Sequence, residues 1–471
     1  MTLWSSADAV AATGGTASLP FAAEGISIDS RSVGKGDLFV ALSGPKFDGH
    51  DFAEAAVRGG AAAAMVTHRP GDASATTPLL IVRDTLGGLS GLGAAARART
   101  DARIVGVTGS AGKTGTKEAL KLALSPSGTV HASSASHNNH WGVPLSLARM
   151  PASADYGVFE IGMNHPGEIR PLTKLARPHV AIITTVEAAH LEFFSSVEAI
   201  ADAKAEIMEG LEPGGVAILN RDNPHFGRLA SAAKNLGVAT LTFGENASAD
   251  ARLTKTALLD DCSTVSATIL GEPVTYKIGA PGKHWVMNSL AVLAAVQTLG
   301  ADLGLAALAL ARVDPGPGRG RRVRVTLPGG PFEVIDESYN ANPASMRAAL
   351  EVLGRAQVKG RGRRIAVLGD MRELGRNSGR LHADLARVAE ESGIDLVYTV
   401  GEDIEELDHA LPPARRGGHG ALPGEVAAML ADAVRPGDVV LVKGSQATGM
   451  AAVTRALSAL SVNSFRPGNG H

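Results

Sequence analysis

Cysteine is nearly absent from this 471-residue sequence, in which Cys262 is the only one. A single thiol cannot form an intramolecular disulfide, and the sequence has no Cys-x-x-Cys pair that could hold zinc. Few cysteines are typical of proteins in a reducing compartment. We therefore expect a cytoplasmic protein without structural disulfides.

An excess of charge of one sign is also missing. The 45 Lys and Arg residues nearly balance the 47 Asp and Glu residues, and the formal net charge is −2. Proteins that bind nucleic acid usually show a basic surplus. No nucleic-acid partner is expected, although the local basic run from Arg319 to Arg324 needs another explanation.

Long apolar segments are absent as well. The run from Ala61 to Val66 is far too short to span a bilayer, and the first residues lack the basic segment and apolar core of a signal peptide. We expect neither membrane insertion nor export. With 45% hydrophobic and 20% charged residues, the composition is that of a soluble globular enzyme, and its length predicts about two to four domains.

The most informative segment begins at Arg103 and predicts a strand, a phosphate-binding turn and a helix. Its first residues are mostly β-branched, as in a buried strand, and Gly109 and Gly112 allow the backbone to turn its N–H groups toward an anion. Lys113 and Thr114 open the helix. The helix N-terminus and the lysine can bind a phosphate, and the threonine hydroxyl can ligate magnesium.

This pattern is shorter than the usual phosphate-binding loop, because Val107 stands where the first glycine is expected. The alternative is an ordinary glycine-rich turn between a strand and a helix. A structural turn does not require a lysine at this position, so the pattern favours nucleotide phosphate binding.

Polar residues follow the strands predicted after this loop. Glu160, Glu187 with His190, and the segment beginning at Asn220 each end an apolar run. In a parallel sheet these strand ends lie at one edge, beside the phosphate loop. Glu160 is interpreted as a magnesium ligand rather than a capping glutamate, whereas His190 alone fits a metal ligand or a structural histidine equally well.

The alternation of strands and helices predicts an α/β protein of three domains. Residues 1–100 form a small α/β domain, residues 101–315 a central ATPase-like domain with a mostly parallel sheet, and residues 316–471 a Rossmann-like doubly wound domain. A Pro- and Gly-rich hinge at Asp314–Gly320 precedes the last domain. In the first domain, polar turns around Asp29 and Asp48 are either ligand sites or capped turns.

Motifs over nearly the whole chain resemble those of the Mur ligases, ATP-dependent amide-forming enzymes of bacterial cell-wall synthesis. They are closest to the members that add D-alanyl-D-alanine to UDP-N-acetylmuramoyl-tripeptide. The motifs are Asn138-Asn139-His-Trp-Gly142-Val143-Pro144, Glu160-Ile-Gly-Met-Asn164-His165, Ala188-Ala-His190-Leu-Glu192, Asp336-Glu-Ser338-Tyr339-Asn340-Ala341-Asn342-Pro343, Gly369-Asp370-Met371-x-Glu373-Leu374-Gly375 and Lys443-Gly444-Ser445.

The resemblance implies roles for individual residues in ATP binding and catalysis. The ATP phosphates would be held by Gly109, Ser110, Ala111, Gly112, Lys113, Thr114 and Gly115. Two magnesium ions would be held by Thr114, Glu160, His190 and Lys204, the last as a carbamate, although helix spacing alone would make Lys204 a solvated charge. Asn288 would contact adenine, while Arg319 and Asp336 would bind ATP when the third domain closes. The catalytic residues would be Lys113, Glu160, His190 and Lys204.

The resemblance also implies the substrate contacts. The uridine diphosphate end of the tripeptide nucleotide would contact Asp29, Ser30, Arg31, Phe47, Asp48, Gly49 and His50, which favours ligand binding for these turns. The peptide and the incoming dipeptide would contact Asn138, Asn139, Asn164, His165, Tyr339, Asn340, Asn342, Lys443 and Ser445. The protein would act as a monomer through an acyl-phosphate intermediate.

Three positions depart from the family pattern. Ala135-Ser136 stands where Gly-Asn is common, Trp285 replaces a common asparagine, and Gln446 replaces a common arginine. Two other hypotheses stay open at this point. The chain could be another Mur-type or folylpolyglutamate synthetase-like ligase with a different amino acid substrate, or a nucleotide-binding regulatory module without turnover.

Overall fold

The computed structural model describes residues 2–44, 47–134 and 136–461. Three large β-sheets follow one another along the chain. A separate two-stranded antiparallel pair near the N-terminus joins Trp4–Ser5 to Ala22–Ala23. Apolar residues on both faces of the two larger sheets are covered by helices, as expected for sheets built mainly of parallel strands.

The first sheet has five strands. In spatial order they are Thr16–Ala17, Leu79–Ile81, Ala63–Val66, Asp37–Val40 and Gly25–Ser27. All neighbours are parallel except the first pair. The helices around this sheet are Ser6–Thr13, Ala53–Arg58 and Thr85–Ala98, with a 3₁₀ turn at Gly49–Phe52.

The central sheet has nine strands, and the phosphate-loop strand Arg103–Thr108 is the third from one edge. In spatial order they are Glu272–Ile278, Ser263–Ile269, Ala251–Leu258, Ala239–Gly244, Val216–Asn220, Val180–Ile183, Arg103–Thr108, Tyr156–Glu160 and Val130–Ala132. Its helices are Lys113–Leu124, Gly142–Ala148, Ile169–Ala176, Val197–Ala205, Phe226–Asn235, Lys283–Thr298 and Leu303–Ala309, with 3₁₀ turns at Glu206–Gly210 and Leu310–Arg312.

The third sheet has six strands, all parallel except the first. In spatial order they are Arg321–Leu327, Gly330–Glu337, Val439–Lys443, Arg364–Gly369, Leu396–Val400 and Arg416–Gly420. Its helices are Pro343–Arg355, Ser378–Ala383, Leu385–Glu391, Glu405–Ala410, Pro423–Ala433 and Ala451–Ala459, with 3₁₀ turns at Gly375–Asn377, Pro413–Arg415 and Gln446–Thr448.

These observations confirm the predicted α/β class with a mostly parallel central sheet and a doubly wound last sheet. The domain boundaries at 100 and 315 fall between sheets and stay predictions. The first and central parts are also packed together, since the Trp4 indole N–H donates to the Ala148 carbonyl over 2.9 Å and Leu145 joins the core beneath the first sheet.

The main difference from the sequence interpretation is the antiparallel edge of the central sheet. Strands Ser263–Ile269 and Glu272–Ile278 form a hairpin whose two turn residues, Leu270 and Gly271, both have positive φ. A left-handed leucine replaces the asparagine or aspartate that usually marks such a turn, so the sequence gives little indication of this hairpin.

Two helices are divided into shorter pieces. Val197–Ala205 continues as the 3₁₀ turn Glu206–Gly210, and Asp384 separates Ser378–Ala383 from Leu385–Glu391. No helix within the described ranges has both the length and the apolar character that crossing a bilayer requires.

Candidate active site

The phosphate-binding loop is fixed by the end of a neighbouring strand. The Ser110 backbone N–H donates to the Thr185 carbonyl over 2.9 Å, and the Thr184 hydroxyl donates to the Ala111 carbonyl over 2.6 Å. The sequence interpretation missed these two threonines, although they follow the apolar run of the parallel strand beside the loop. Their contacts fix the backbone conformation of the loop.

Gly112 has the backbone angle that this turn requires, with φ of +82°. An added Cβ atom would lie 2.6 Å from Asn288 Nδ2, so a side chain is excluded by both conformation and space. Asn288 is the residue expected to contact adenine. The structure places it against the phosphate loop, next to Gly112.

Replacing Gly112 with alanine should destabilise the loop. We expect a loss of about 1–2 kcal/mol in the free energy of unfolding, because a non-glycine residue is strained in the left-handed region. ADP affinity should fall about tenfold for the same energetic reason. Urea unfolding and ADP titration measure the two effects. Gly227→Ala is the matched control, since Gly227 lies in a helix with open space around it, and a wild-type-like result for Gly112→Ala would contradict the interpretation.

Glu160 forms the centre of a buried oxygen-rich cluster. Its side chain is 1% exposed, accepts from the Thr114 hydroxyl over 2.7 Å, and accepts from the Asn138 amide over 2.7 Å through its other oxygen. The structure therefore brings together the predicted magnesium ligands Thr114 and Glu160. A hydroxyl and a carboxylate are suitable ligands for Mg²⁺.

The donor set of this cluster fits a magnesium ion that is also held by nucleotide phosphates. Among the residues that the structure describes, no group of three or more His, Cys, Asp or Glu side chains is arranged to hold a metal by itself. Mg²⁺ in phosphate-transfer sites is commonly bound by one or two carboxylates together with phosphate oxygens and water.

Two lysines lie beside this cluster. Lys113 donates to the Gly109 carbonyl over 2.7 Å, and burial lowers the pKa of its ammonium although the Glu160 carboxylate opposes the shift. Lys204 is 2% exposed, which corrects the expectation of a solvated charge from helix spacing. Burial, and then the charge of Lys113, hold the pKa of Lys204 well below its usual range. Within the described ranges, its ammonium has no hydrogen-bond or carboxylate partner.

Among the residues that the structure describes, no hydrogen bond links His190 to Thr114 or Glu160. His190 has a backbone φ of +59°, and its Nδ1 forms a hydrogen bond with the carboxylate of Glu373 from the third sheet region. That bond lowers the pKa of Glu373. Glu373 stood in a motif of the sequence without a role assigned to it.

Residues on either side of the first two strands of the third sheet contact the central region. The Asn342 amide donates to the Ser110 carbonyl over 3.1 Å while its oxygen caps the helix Pro343–Arg355. Arg319 donates to the Ser136 hydroxyl over 2.8 Å and lies 4.0 Å above the Tyr339 ring. Arg319 therefore bridges the central region and the third sheet region. This contact explains the first residue of the basic run without a nucleic-acid partner.

Asp336 does not cross to the loop. Its carboxylate accepts from the Gly318 N–H over 2.9 Å and from the Ser338 hydroxyl over 2.6 Å, so it fixes the hinge within its own region. The expected ATP contact from this residue stays a prediction.

The expected acceptor residues form two groups in the third sheet region. The Lys443 ammonium is buried and donates to the Asn340 carbonyl over 2.9 Å and to a Glu337 carboxylate oxygen over 3.2 Å. The Ser445 hydroxyl accepts from the Arg372 N–H over 2.9 Å. Both groups lie at carboxyl ends of parallel strands, where open α/β sheets bind ligands.

The remaining peptide-contact residues shape turns next to Glu160. The Asn139 side chain accepts from the Gly142 N–H over 3.0 Å, and Glu168 accepts from the backbone of Asn164 over 2.7 Å and of His165 over 3.2 Å. These contacts explain why the turns are ordered. They leave the predicted substrate roles untested.

The expected uridine diphosphate residues form two turns in the first domain. Asp29 accepts three hydrogen bonds from Arg31, which lower the pKa of Asp29 to about 2. His50 Nε2 accepts from the Thr67 N–H over 2.9 Å, so its Nδ1 donates to Asp48 over 2.6 Å. Both ring nitrogens of His50 are therefore used structurally.

The other side chains of these turns differ in exposure. Phe47 is 66% exposed, Ser30 is half-buried, and an added Cβ atom on Gly49 would lie 2.6 Å from the Leu42 carbonyl. Arg31 and Phe47 are thus the side chains most available to a ligand here. Their role in nucleotide binding stays a prediction.

The structure shows the contacts of the residues that depart from the family pattern. An added Cβ atom on Gly115 would lie 2.9 Å from the Trp285 ring, so this tryptophan packs against the phosphate-loop helix. Ser136 holds Arg319, as described above, and Gln446 begins a 3₁₀ turn. Ala135 lies outside the described residues.

Most of the chain matches known protein families. Three descriptions match, the first two over overlapping segments: "Mur ligase family, catalytic domain" over residues 23–120, "Mur ligase middle domain" over residues 107–296, and "Mur ligase, glutamate ligase domain" over residues 318–446. The chain belongs to the Mur ligase family and is by class an ATP-dependent amide ligase.

Individual relatives narrow the comparison. The UDP-N-acetylmuramoyl-tripeptide--D-alanyl-D-alanine ligase of Escherichia coli is 36% identical, with 92% of this chain and 93% of the relative covered. The ligase of the same name from Rickettsia prowazekii is 33% identical over 89% of this chain and 92% of its own. The crystal structure of MurF from Acinetobacter baumannii superimposes with a TM-score of 0.85 at 31% identity, covering 97% and 99% of the two chains. The MurF ligase of Thermotoga maritima in complex with ADP gives a TM-score of 0.77 at 28% identity, covering 93% and 97%.

Proposed function

We propose that this protein joins D-alanyl-D-alanine to UDP-N-acetylmuramoyl-tripeptide in an ATP-dependent reaction of peptidoglycan precursor synthesis. The observation that carries the proposal is the buried Thr114–Glu160–Asn138 cluster beside a preformed phosphate loop. The names of the relatives described above support the choice of substrates. The products would be UDP-N-acetylmuramoyl-pentapeptide, ADP and phosphate.

The reaction needs two bond-forming steps. In the first, a carboxylate oxygen of the tripeptide forms a bond to the γ-phosphorus of ATP, and the bond to ADP breaks. In the second, the amine of D-alanyl-D-alanine attacks the acyl carbon, phosphate leaves with the bonding electrons, and the amine loses a proton. No protein nucleophile is required.

The chain's own residues serve the first step through charge and position. Two anions must approach each other, and Lys113 at the mouth of the loop would offset the charge that develops on the phosphoryl oxygens. Thr114 and Glu160, with His190 and Lys204, would hold two magnesium ions. Bound magnesium supplies Lewis-acid charge neutralisation.

Lys204 suits modification by carbon dioxide. The lysine ammonium must first lose a proton; the neutral amine then attacks carbon dioxide and loses a second proton, which leaves an anionic carbamate ligand in place of a cation. The buried position and lowered pKa of Lys204 favour the neutral amine that this reaction needs. The carbamate would also remove the repulsion between Lys204 and Lys113.

The third domain would complete the site by contacts with the loop. Asn342 and Arg319 already contact the Ser110 carbonyl and Ser136 across the junction, so the arrangement favours exclusion of water from an acyl phosphate. We place the reaction in the cytoplasm, in keeping with the single buried thiol of Cys262, and expect a monomer.

The proposed reaction is tested by phosphate release with a panel of amines. We expect ATP-dependent phosphate release only when the tripeptide nucleotide and D-alanyl-D-alanine are both present, with both lysine and diaminopimelate forms of the tripeptide assayed. Mass spectrometry identifies the product. Release with a free diamino acid or with glutamate instead of the dipeptide would favour the alternative ligases, and ADP binding without release would favour a regulatory module.

A further inference from the structure

The contact between the 190–192 segment and the 373–375 turn joins the central region to the third sheet region at two points. The His190 ring bonds to the Glu373 carboxylate, and the Glu192 N–H donates to the Glu373 carbonyl over 3.0 Å. An added Cβ atom on Gly375 would lie 3.5 Å from the Glu192 Cα atom, so the two backbones are closely packed.

His190 and Glu373, the two residues of this side-chain hydrogen bond, both have an uncommon backbone conformation. His190 has φ of +59° and Glu373 has φ of +65°, two of the four non-glycine residues with positive φ among those described. Such conformations are unfavourable for residues other than glycine and occur mainly where surrounding contacts fix them. Here the strained conformations aim the two side chains at each other across the junction.

The bond also decides which nitrogen of His190 is available. An imidazole that donates its Nδ1 proton to a carboxylate keeps the lone pair of Nε2 for another partner. Carboxylates that accept from a metal-bound histidine in this way fix its ring orientation and increase its basicity as a ligand.

We infer that Glu373 is a positioning residue that orients His190 as a metal ligand only when the third domain is closed on the central domain. The inference rests on the proposed function, because it takes His190 as a magnesium ligand. It adds that the metal site is completed by a residue of the closing domain rather than by the central domain alone.

The first test measures metal binding rather than turnover. The full-length protein is loaded with ADP and titrated with MnCl₂, and free Mn²⁺ is measured by electron paramagnetic resonance. We expect Glu373→Ala to raise the Mn²⁺ concentration for half-saturation about 10- to 100-fold. Glu373→Gln keeps an acceptor oxygen and should recover most of the affinity. Glu192→Gln is the charge-matched control, since its side chain is exposed in the same segment, and should leave half-saturation unchanged.

A double-mutant cycle separates positioning from a general structural effect. If Glu373 acts through His190, the double variant His190→Ala/Glu373→Ala should bind Mn²⁺ no more weakly than His190→Ala alone. The inference would be overturned if the double variant raised the Mn²⁺ concentration for half-saturation by the product of the two single effects. It would also be overturned if Glu373→Ala left that concentration unchanged. Equal urea midpoints of the variants and wild type verify that the variants fold. If Glu373→Ala does not fold, Glu373→Asp is tested in its place, and the same two outcomes would overturn the inference.

The inference and the proposed function fail separately. Loss of Mn²⁺ affinity in a protein that does not ligate D-alanyl-D-alanine would reject the proposed substrates and keep the role of Glu373. If wild type ligates D-alanyl-D-alanine fully and Glu373→Ala binds Mn²⁺ as wild type does, the proposed function is kept and the role of Glu373 is rejected.

Discussion

Replacing Lys113 with methionine is expected to lower kcat for ATP-dependent ligation by about 10²–10³-fold. The ammonium belongs to the phosphate loop itself, donates to the Gly109 carbonyl and interacts electrostatically with the Glu160 carboxylate. Removing one preorganised donor from a site of developing charge has a cost of this size in other enzymes. Methionine retains the unbranched side chain, so packing should change little.

The measurement is phosphate release at saturating ATP, magnesium and both acceptor substrates, together with the urea midpoint. Lys121→Met is the matched control, since Lys121 lies on the exposed side of the same helix, and it should change kcat less than about twofold. A Lys113→Met protein that keeps more than a tenth of wild-type kcat would show that the lysine does not stabilise phosphoryl transfer.

Replacing Lys204 with alanine is expected to lower kcat by about 10²-fold or more, because the site would lose a metal-ligating carbamate. Partial recovery is expected when a short carboxylate such as acetate is added, since it can occupy the space left by the carbamate. Lys204 is 2% exposed and has no carboxylate partner within the described ranges, so an unmodified ammonium there would be a costly buried charge.

The modification itself is observable. Wild-type protein equilibrated with ¹³C-labelled bicarbonate should show a carbamate carbon resonance that Lys204→Ala lacks. Because burial lowers the pKa of Lys204, the neutral amine is available at lower pH than for an ordinary lysine, and the signal should persist near neutral pH. Full activity of Lys204→Ala without added carboxylate, or an absent resonance in active wild type, would contradict the carbamate.

The phosphate loop and Glu160 could be predicted from sequence because both depend on local order along the chain. A β-branched strand followed by glycines, lysine and threonine specifies the turn and the helix. The position of Glu160 follows from the rule that neighbouring parallel strands end at the same edge, and the register pairs it with Val107. The family motifs added site residues from distant parts of the chain. The periodicity of apolar residues gives no information about such residues.

Other features could not be predicted for physical reasons. A lysine at a helix position looks solvated until the packing around the helix is known, and only the fold buries Lys204. The antiparallel hairpin has alternating residues but an unusual turn at Leu270. Glu373 lies 183 positions from His190 along the chain, and contacts over such separation depend on how domains dock.

The sequence by itself determined the α/β class, the phosphate loop and the set of residue types that ATP-dependent ligation needs, because these are written in short-range patterns. Tertiary structure decided which groups meet. It buried Lys204 beside Lys113, joined Glu160 to Thr114 and Asn138, and carried Glu373 to His190. Burial and cross-domain contact are properties of the packed chain, and the charges that activate this site follow from them.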